Sequence, residues 1–222
     1  MIIAEVKPFK EIQEMVEPYD KVFVAACGTC VTVCYAGGEK EAELLATELR
    51  IARKLAGKKL ETLVGVVERQ CEWEYLEEFR DKVEESQAVI SMACGIGIQA
   101  MAEKYPGKPI FPGVNTKFIG IPQEQGVWKE MCALCGNCIT HMFGGICPIG
   151  RCSKGLLNGP CGGSQNGKCE IDPELDCGWQ LIYDHLKALG QLDKLEEIQP
   201  PKDWSVGRFG RVSKLIREDM KL

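Results

Sequence analysis

Val22-Phe23-Val24-Ala25-Ala26-Cys27-Gly28-Thr29-Cys30 opens the stretch on which the reading of this chain turns. Its first five residues are apolar and β-prone, the signature of a buried strand. Over residues 39–56, Leu45, Leu49, Ala52 and Ala56 then recur at helical spacing, and Gly57 supplies a stop. Residues 62–67 then read as a second strand. Strand, amphipathic helix, strand is the unit from which parallel sheets are built. Working outward, Trp73, Leu76, Phe79 and Val83 mark another helix, residues 88–93 a third strand, 98–105 a third helix and 110–114 a fourth strand. The sequence thus predicts an α/β domain with a parallel sheet over residues 1–125, to which residues 1–10 add a further strand.

The composition narrows the classes of function. The chain has 222 residues, 45% hydrophobic and 27% charged, enough to bury a core, and no apolar run approaches the roughly eighteen residues that span a bilayer. A net charge of -5 argues against a nucleic-acid partner, whose phosphates are met by Lys and Arg. There are 13 cysteines, an odd number that no fully paired disulfide framework uses, and Met1-Ile2-Ile3-Ala4-Glu5 lacks the features of a secretory leader. The expected location is the cytoplasm, where thiolates serve as soft ligands to zinc or to iron–sulfur clusters.

The cysteines divide into two sets. Cys27, Cys30, Cys34, Cys71 and Cys94 fall at or just beyond the carboxyl ends of predicted strands, where open α/β sheets bind ligands. Cys27, Cys30, Cys71 and Cys94 form the expected ligand set, with Cys34 in reserve; Cys30 and Cys34 compete to be the spare thiol. Structural burial of cysteine explains one or two such positions better than five. Gly95-Ile96-Gly97-Ile98-Gln99-Ala100 also matches a dinucleotide fingerprint, but it follows the third strand, and no acidic residue ends the next one.

Cys132, Cys135, Cys138, Cys147, Cys152, Cys161, Cys169 and Cys177 make up the second set, in a glycine- and proline-rich stretch without helical periodicity. Metal is the expected organiser of this segment, which with a following helix (Trp179, Ile182, Leu186, Leu189) makes a module over residues 126–199. Cys132-x2-Cys135-x2-Cys138 followed by Cys147-Pro148 has the order of the bacterial ferredoxin run, with a longer last gap. The first three share a site with a remote cysteine that the sequence does not choose. The others are left to a second site. Eight thiolates suit two [4Fe-4S] clusters, one cluster and one zinc, or two zincs. His141 offers an alternative Cys3His zinc set.

Gly144-Gly145-Ile146-Cys147-Pro148-Ile149, Arg151 through Ser164 with its Asn158-Gly159-Pro160-Cys161-Gly162-Gly163 core, and Gly167-Lys168-Cys169-Glu170 resemble the C-terminal domain family of methylenetetrahydrofolate reductases. The arrangement as a whole resembles the small iron–sulfur subunit of the two-subunit reductases of acetogenic anaerobes. The resemblance implies up to three [4Fe-4S] clusters, with zinc in one site as the alternative. It implies a flavin-containing catalytic subunit as partner, and ferredoxin or a larger electron-transfer assembly as donor. No catalytic constellation is visible: His185 reads as a helix-surface residue, the pairs Glu77-Glu78, Glu84-Glu85 and Glu196-Glu197 as solvated faces, and Trp73, Trp128, Trp179 and Trp204 as packing or interface residues. The tail, residues 200–222, is either a docked end or a partner-binding segment.

Overall fold

A computed structural model describes residues 1–207 and 212–220; positions 208–211 and 221–222 of the tail lie outside the described residues. The chain divides into two compact units, Met1–Lys129 and Glu130–Leu222. In the first, β2 (Lys21–Cys27), β3 (Glu61–Val67), β4 (Ala88–Ser91) and β5 (Ile110–Pro112) form a parallel sheet in the order β3-β2-β4-β5. Val24 lies between Val64 and Ile90 in register.

Alternation along β2 decides which helices cover which face. Val22, Val24 and Ala26 pack with Ala42, Leu45, Ala46 and Leu49 of α3 (Glu39–Leu55). Phe23 and Ala25 pack instead with Leu76 of α4 (Trp73–Leu76), Phe79, Val83 of α5 (Arg80–Glu85) and Met101 of α6 (Gly95–Lys104). Each fully buried Leu or Phe stabilises by about 1.5–3 kcal/mol. A short α1 (Phe9–Met15) ends where buried Arg53, reaching from α3, donates to the carbonyls of Val16, Glu17 and Tyr19.

The strands expected over residues 22–26 and 62–67 are present as β2 and β3; the one expected over 110–114 ends at Pro112 as β5, and Val114 already begins a strand of a second sheet. The third stops at Ser91, although the Met92 amide still reaches the Ala25 carbonyl at 2.8 Å. The helix expected from Trp73 to Val83 is broken by a 3-10 turn at Glu77–Phe79. The head strand exists as β1 (Ile2–Val6), but it joins a separate antiparallel sheet, β1-β6-β7, with β6 (Val114–Glu124) and β7 (Val127–Cys132).

In the second unit, the described residues between Cys132 and Cys177 contain no α-helix, only a 3-10 turn at Thr140–Phe143 and two isolated bridges that join Lys168 to Gln165 and Asp176. α7 (Gly178–Leu189) follows, and its apolar stripe makes a small core of Trp179, Ile182 and Leu186 with Phe143 and Cys177. Phe143 and Trp179 meet edge to face at 5.7 Å, and the Trp179 indole donates to the Leu156 carbonyl. No helix among the described residues is long and apolar enough to cross a membrane.

Candidate metal centre

β2 lies between β3 and β4, so successive crossovers leave its neighbourhood in opposite directions. The carboxyl ends around such a reversal form a ligand-binding crevice. Cys27 ends β2, Cys71 lies beyond β3, and Cys94 is the N-cap of α6 after β4. Cys71 is exposed at the surface, and partial desolvation of its thiol, followed by the charges of Cys27 and, less, Cys94, pushes it above its ordinary value. Gln70 fixes this convergence from beneath. Fully buried, it donates to the Ala25 and Ala26 carbonyls and accepts from the Ser91 hydroxyl at 2.7 Å, tying the loop before Cys71 to both flanking strands.

The remaining pair is placed differently. Cys30 opens the short helix α2 (Cys30–Val33) and Cys34 closes it. Cys34 is buried against β1, its thiol 3.5 Å from the Ile2 carbonyl, and burial followed by the charge of Cys30 raises it. Cys34 therefore faces the core between α2 and β1. The nearby glycine fingerprint has a packing explanation: a Cβ at Gly97 would lie 2.7 Å from Ala93 Cβ and 2.9 Å from Gln70 Cβ, while the Gly95 amide donates to the Thr116 hydroxyl.

Cys132, Cys135 and Cys138 ride on one tight loop, in which Leu134 takes a left-handed φ of 52°. The Leu134 amide donates to Cys132 Sγ, Cys135 donates to the Asn137 carbonyl, and the Thr140 hydroxyl beside Cys138 holds that thiol below its ordinary value. Lys202, in the tail, donates to the Asn137 carbonyl and so secures the same loop. Cys147 accepts from the Gly150 amide at 3.3 Å. Gly150 in turn lies against the strand leading into Cys132: a Cβ there would come within 2.9 Å of the Met131 carbonyl. Arg151 also reaches Met131 Sδ at 3.3 Å.

Cys152, Cys161, Cys169 and Cys177 line one cavity with Lys154, Glu170 and Trp179. Amide bonds from Cys169 to the Leu175 carbonyl and from Cys177 to the Gly167 carbonyl fold residues 167–177 back on themselves. Ser153 lies 3.4 Å from Cys169 Sγ and lowers that thiol. Gly178 permits a close backbone approach: a Cβ would sit 2.3 Å from the Arg151 carbonyl, so Cys177 is held beside Cys152. Lys154 pairs with Glu170 at the rim. The donors are those that iron–sulfur clusters and structural zinc both use. The cavity's free volume, about 20 Å³, is that of one water, and no three His, Cys, Asp or Glu side chains among the described residues close on one ion.

His141 is exposed in the 3-10 turn, its carbonyl accepting from Lys194, and His185 is exposed on α7. Residues 111–205 match the family model described as methylene-tetrahydrofolate reductase C terminal. This segment is similar to that family. No curated protein and no solved structure matches the chain. The matched segment contains all eight cysteines of the second set, with α7 and the start of the tail, whereas the five cysteines of the α/β sheet precede it. Sequence reading missed Gln70, Ser153 and Thr140. The last two stand one residue after Cys152 and two after Cys138, a hydroxyl-beside-cysteine pattern that could have flagged them; Gln70 gives no such signal.

Proposed function

We propose that this chain is an iron–sulfur electron-transfer subunit of a methylenetetrahydrofolate reductase complex. It passes electrons from a low-potential donor, ferredoxin or a larger electron-transfer assembly, to the flavin of a separate catalytic subunit. The observation that carries the reading is the gathering of thiols at more than one place: Cys27, Cys71 and Cys94 around the sheet's carboxyl ends, and four cysteines around one cavity. Clusters held by such thiolates exchange single electrons, with potentials set by hydrogen bonds to sulfur and by exposure. The Leu134 amide to Cys132 and the Gly150 amide to Cys147 supply such bonds here, and hydroxyls lie beside Cys138 and Cys169. A flavin on the partner accepts single electrons and delivers a hydride equivalent to the methylene carbon. No acid–base constellation is recognisable in the sequence, and the family match supports the link to the folate reaction.

Iron, zinc and acid-labile sulfide analysis of the anaerobically purified chain tests this. Iron and sulfide in matching amounts are expected, with bleaching by a low-potential reductant and reduction of the partner's flavin when the two subunits are mixed. A colourless protein containing zinc and no labile sulfide overturns the relay. It would instead favour the reading that the small volume of the Cys152–Cys177 cavity suits, a zinc-organised assembly subunit without a redox role.

A further inference from the structure

The sequence leaves open which cysteine completes the Cys132, Cys135 and Cys138 group. From the packing of the backbone we infer that the second unit holds two separate four-thiolate metal sites. One is formed by Cys132, Cys135, Cys138 and Cys147, the other by Cys152, Cys161, Cys169 and Cys177. The inference rests on the proposal that these cysteines bind metal, and it holds whether the metal is iron or zinc.

The second site follows from one cavity. Its lining contains Cys152, Cys161, Cys169 and Cys177, and none of the other four cysteines of this unit. Cys177 and Cys152 are brought together by the close approach of Gly178 to Arg151, and Cys169 to the same place by Ser153. Four thiolates saturate a zinc ion or a cubane, so no ligand need be borrowed.

The first site follows from where Cys147 is anchored. Three residues after it, Gly150 rests on Met131 and Ala133, the residues on either side of Cys132, with approaches of 2.9 and 3.3 Å for a Cβ that glycine lacks. The Gly150 amide bonds back to Cys147 Sγ, so the contact fixes the sulfur as well as the chain. Arg151 adds a contact to Met131 from the same turn. Residues 148–151 therefore form a divide. Gly150 on one side meets the Cys132 loop, and the Arg151 carbonyl on the other meets Gly178 and the cavity. A side chain at either glycine would force the two loops apart.

The grouping predicts a pattern of dependence between substitutions. In the full-length, anaerobically purified chain, Cys147→Ala is expected to lose one site's complement of metal, and Cys161→Ala another. The pair Cys132→Ala/Cys147→Ala should lose no more than Cys147→Ala alone, because both break one site. The pair Cys147→Ala/Cys161→Ala should lose the sum. Since a variant can fail to fold, the unmodified protein supplies a second readout. Stepwise chelation with alkylation and peptide mass analysis should expose the eight thiols in two blocks of four with these memberships. A sum of losses within a group, equal single and double losses across the groups, or thiols released in other blocks overturns the grouping. Failure of the electron-transfer reading would show separately, as zinc in place of iron and sulfide with the same two blocks.

Discussion

Gln70 shows how much of a site can depend on a residue that binds nothing. Its amide satisfies two strand carbonyls and the Ser91 hydroxyl with no solvent access, immediately before Cys71. Gln70→Ala leaves these groups unpaired and empties the buried space of the amide, while keeping the Cβ on which Gly97 packs. The expected cost is about 3 kcal/mol, read as a lowered denaturation midpoint of the α/β unit. Cys71 should also be alkylated faster, since its loop loses its tether to β2 and β4. An unchanged midpoint with unchanged Cys71 reactivity would contradict the role given to Gln70. None of this was legible from the sequence, because a glutamine beside a cysteine has the same letters whether buried or solvated.

At the scale of elements, the sequence carried the parallel sheet well. Residues 22–26 are a continuous apolar run because both faces of central β2 are covered, and burial on both faces is what such a run encodes, whereas β3 at the sheet edge includes Thr62 and leaves Val66 exposed. The antiparallel pair β6 and β7 was not legible. Lys117, Gln123, Glu124, Lys129 and Glu130 dilute its apolar pattern, and much of its surface is exposed. For the candidate sites, sequence position found the cysteines but not their grouping, which depends on glycine contacts between distant loops. α7 was legible from Trp179, Ile182 and Leu186, which now form most of the second unit's apolar core. Leu186 is fully buried, and Leu186→Ala should cost about 2–5 kcal/mol. In so small a core that loss is expected to abolish hydrogen-exchange protection of α7 in metal-free protein. Metal-loaded protein should keep it, because ligand binding at Cys177, the N-cap of α7, holds the helix start. Equal protection in both forms would show that metal does not organise this helix.

The two units differ in what can hold them. Among the described residues, the α/β unit has buried clusters of nineteen and eight residues, and the second unit one of five. Apolar burial contributes roughly in proportion to the area removed from water, so the first unit has a large source of stability independent of metal and the second does not. Residues 133–176 have little regular hydrogen bonding to compensate, only turns and isolated bridges. If thiolate ligation supplies the balance, its free energy is part of the folding free energy of this unit alone. Removing metal by an anaerobic chelator should therefore make residues 132–177 the first site of limited proteolysis, while residues 1–125 stay resistant. Air oxidation should do the same, with cysteine oxidation products in place of free thiols. The decisive measurement is the order of cleavage as metal content falls. Cleavage that begins in the α/β unit, or a 132–177 segment as resistant without metal as with it, would mean that the small core and the turns are sufficient and that the eight cysteines serve function without serving the fold.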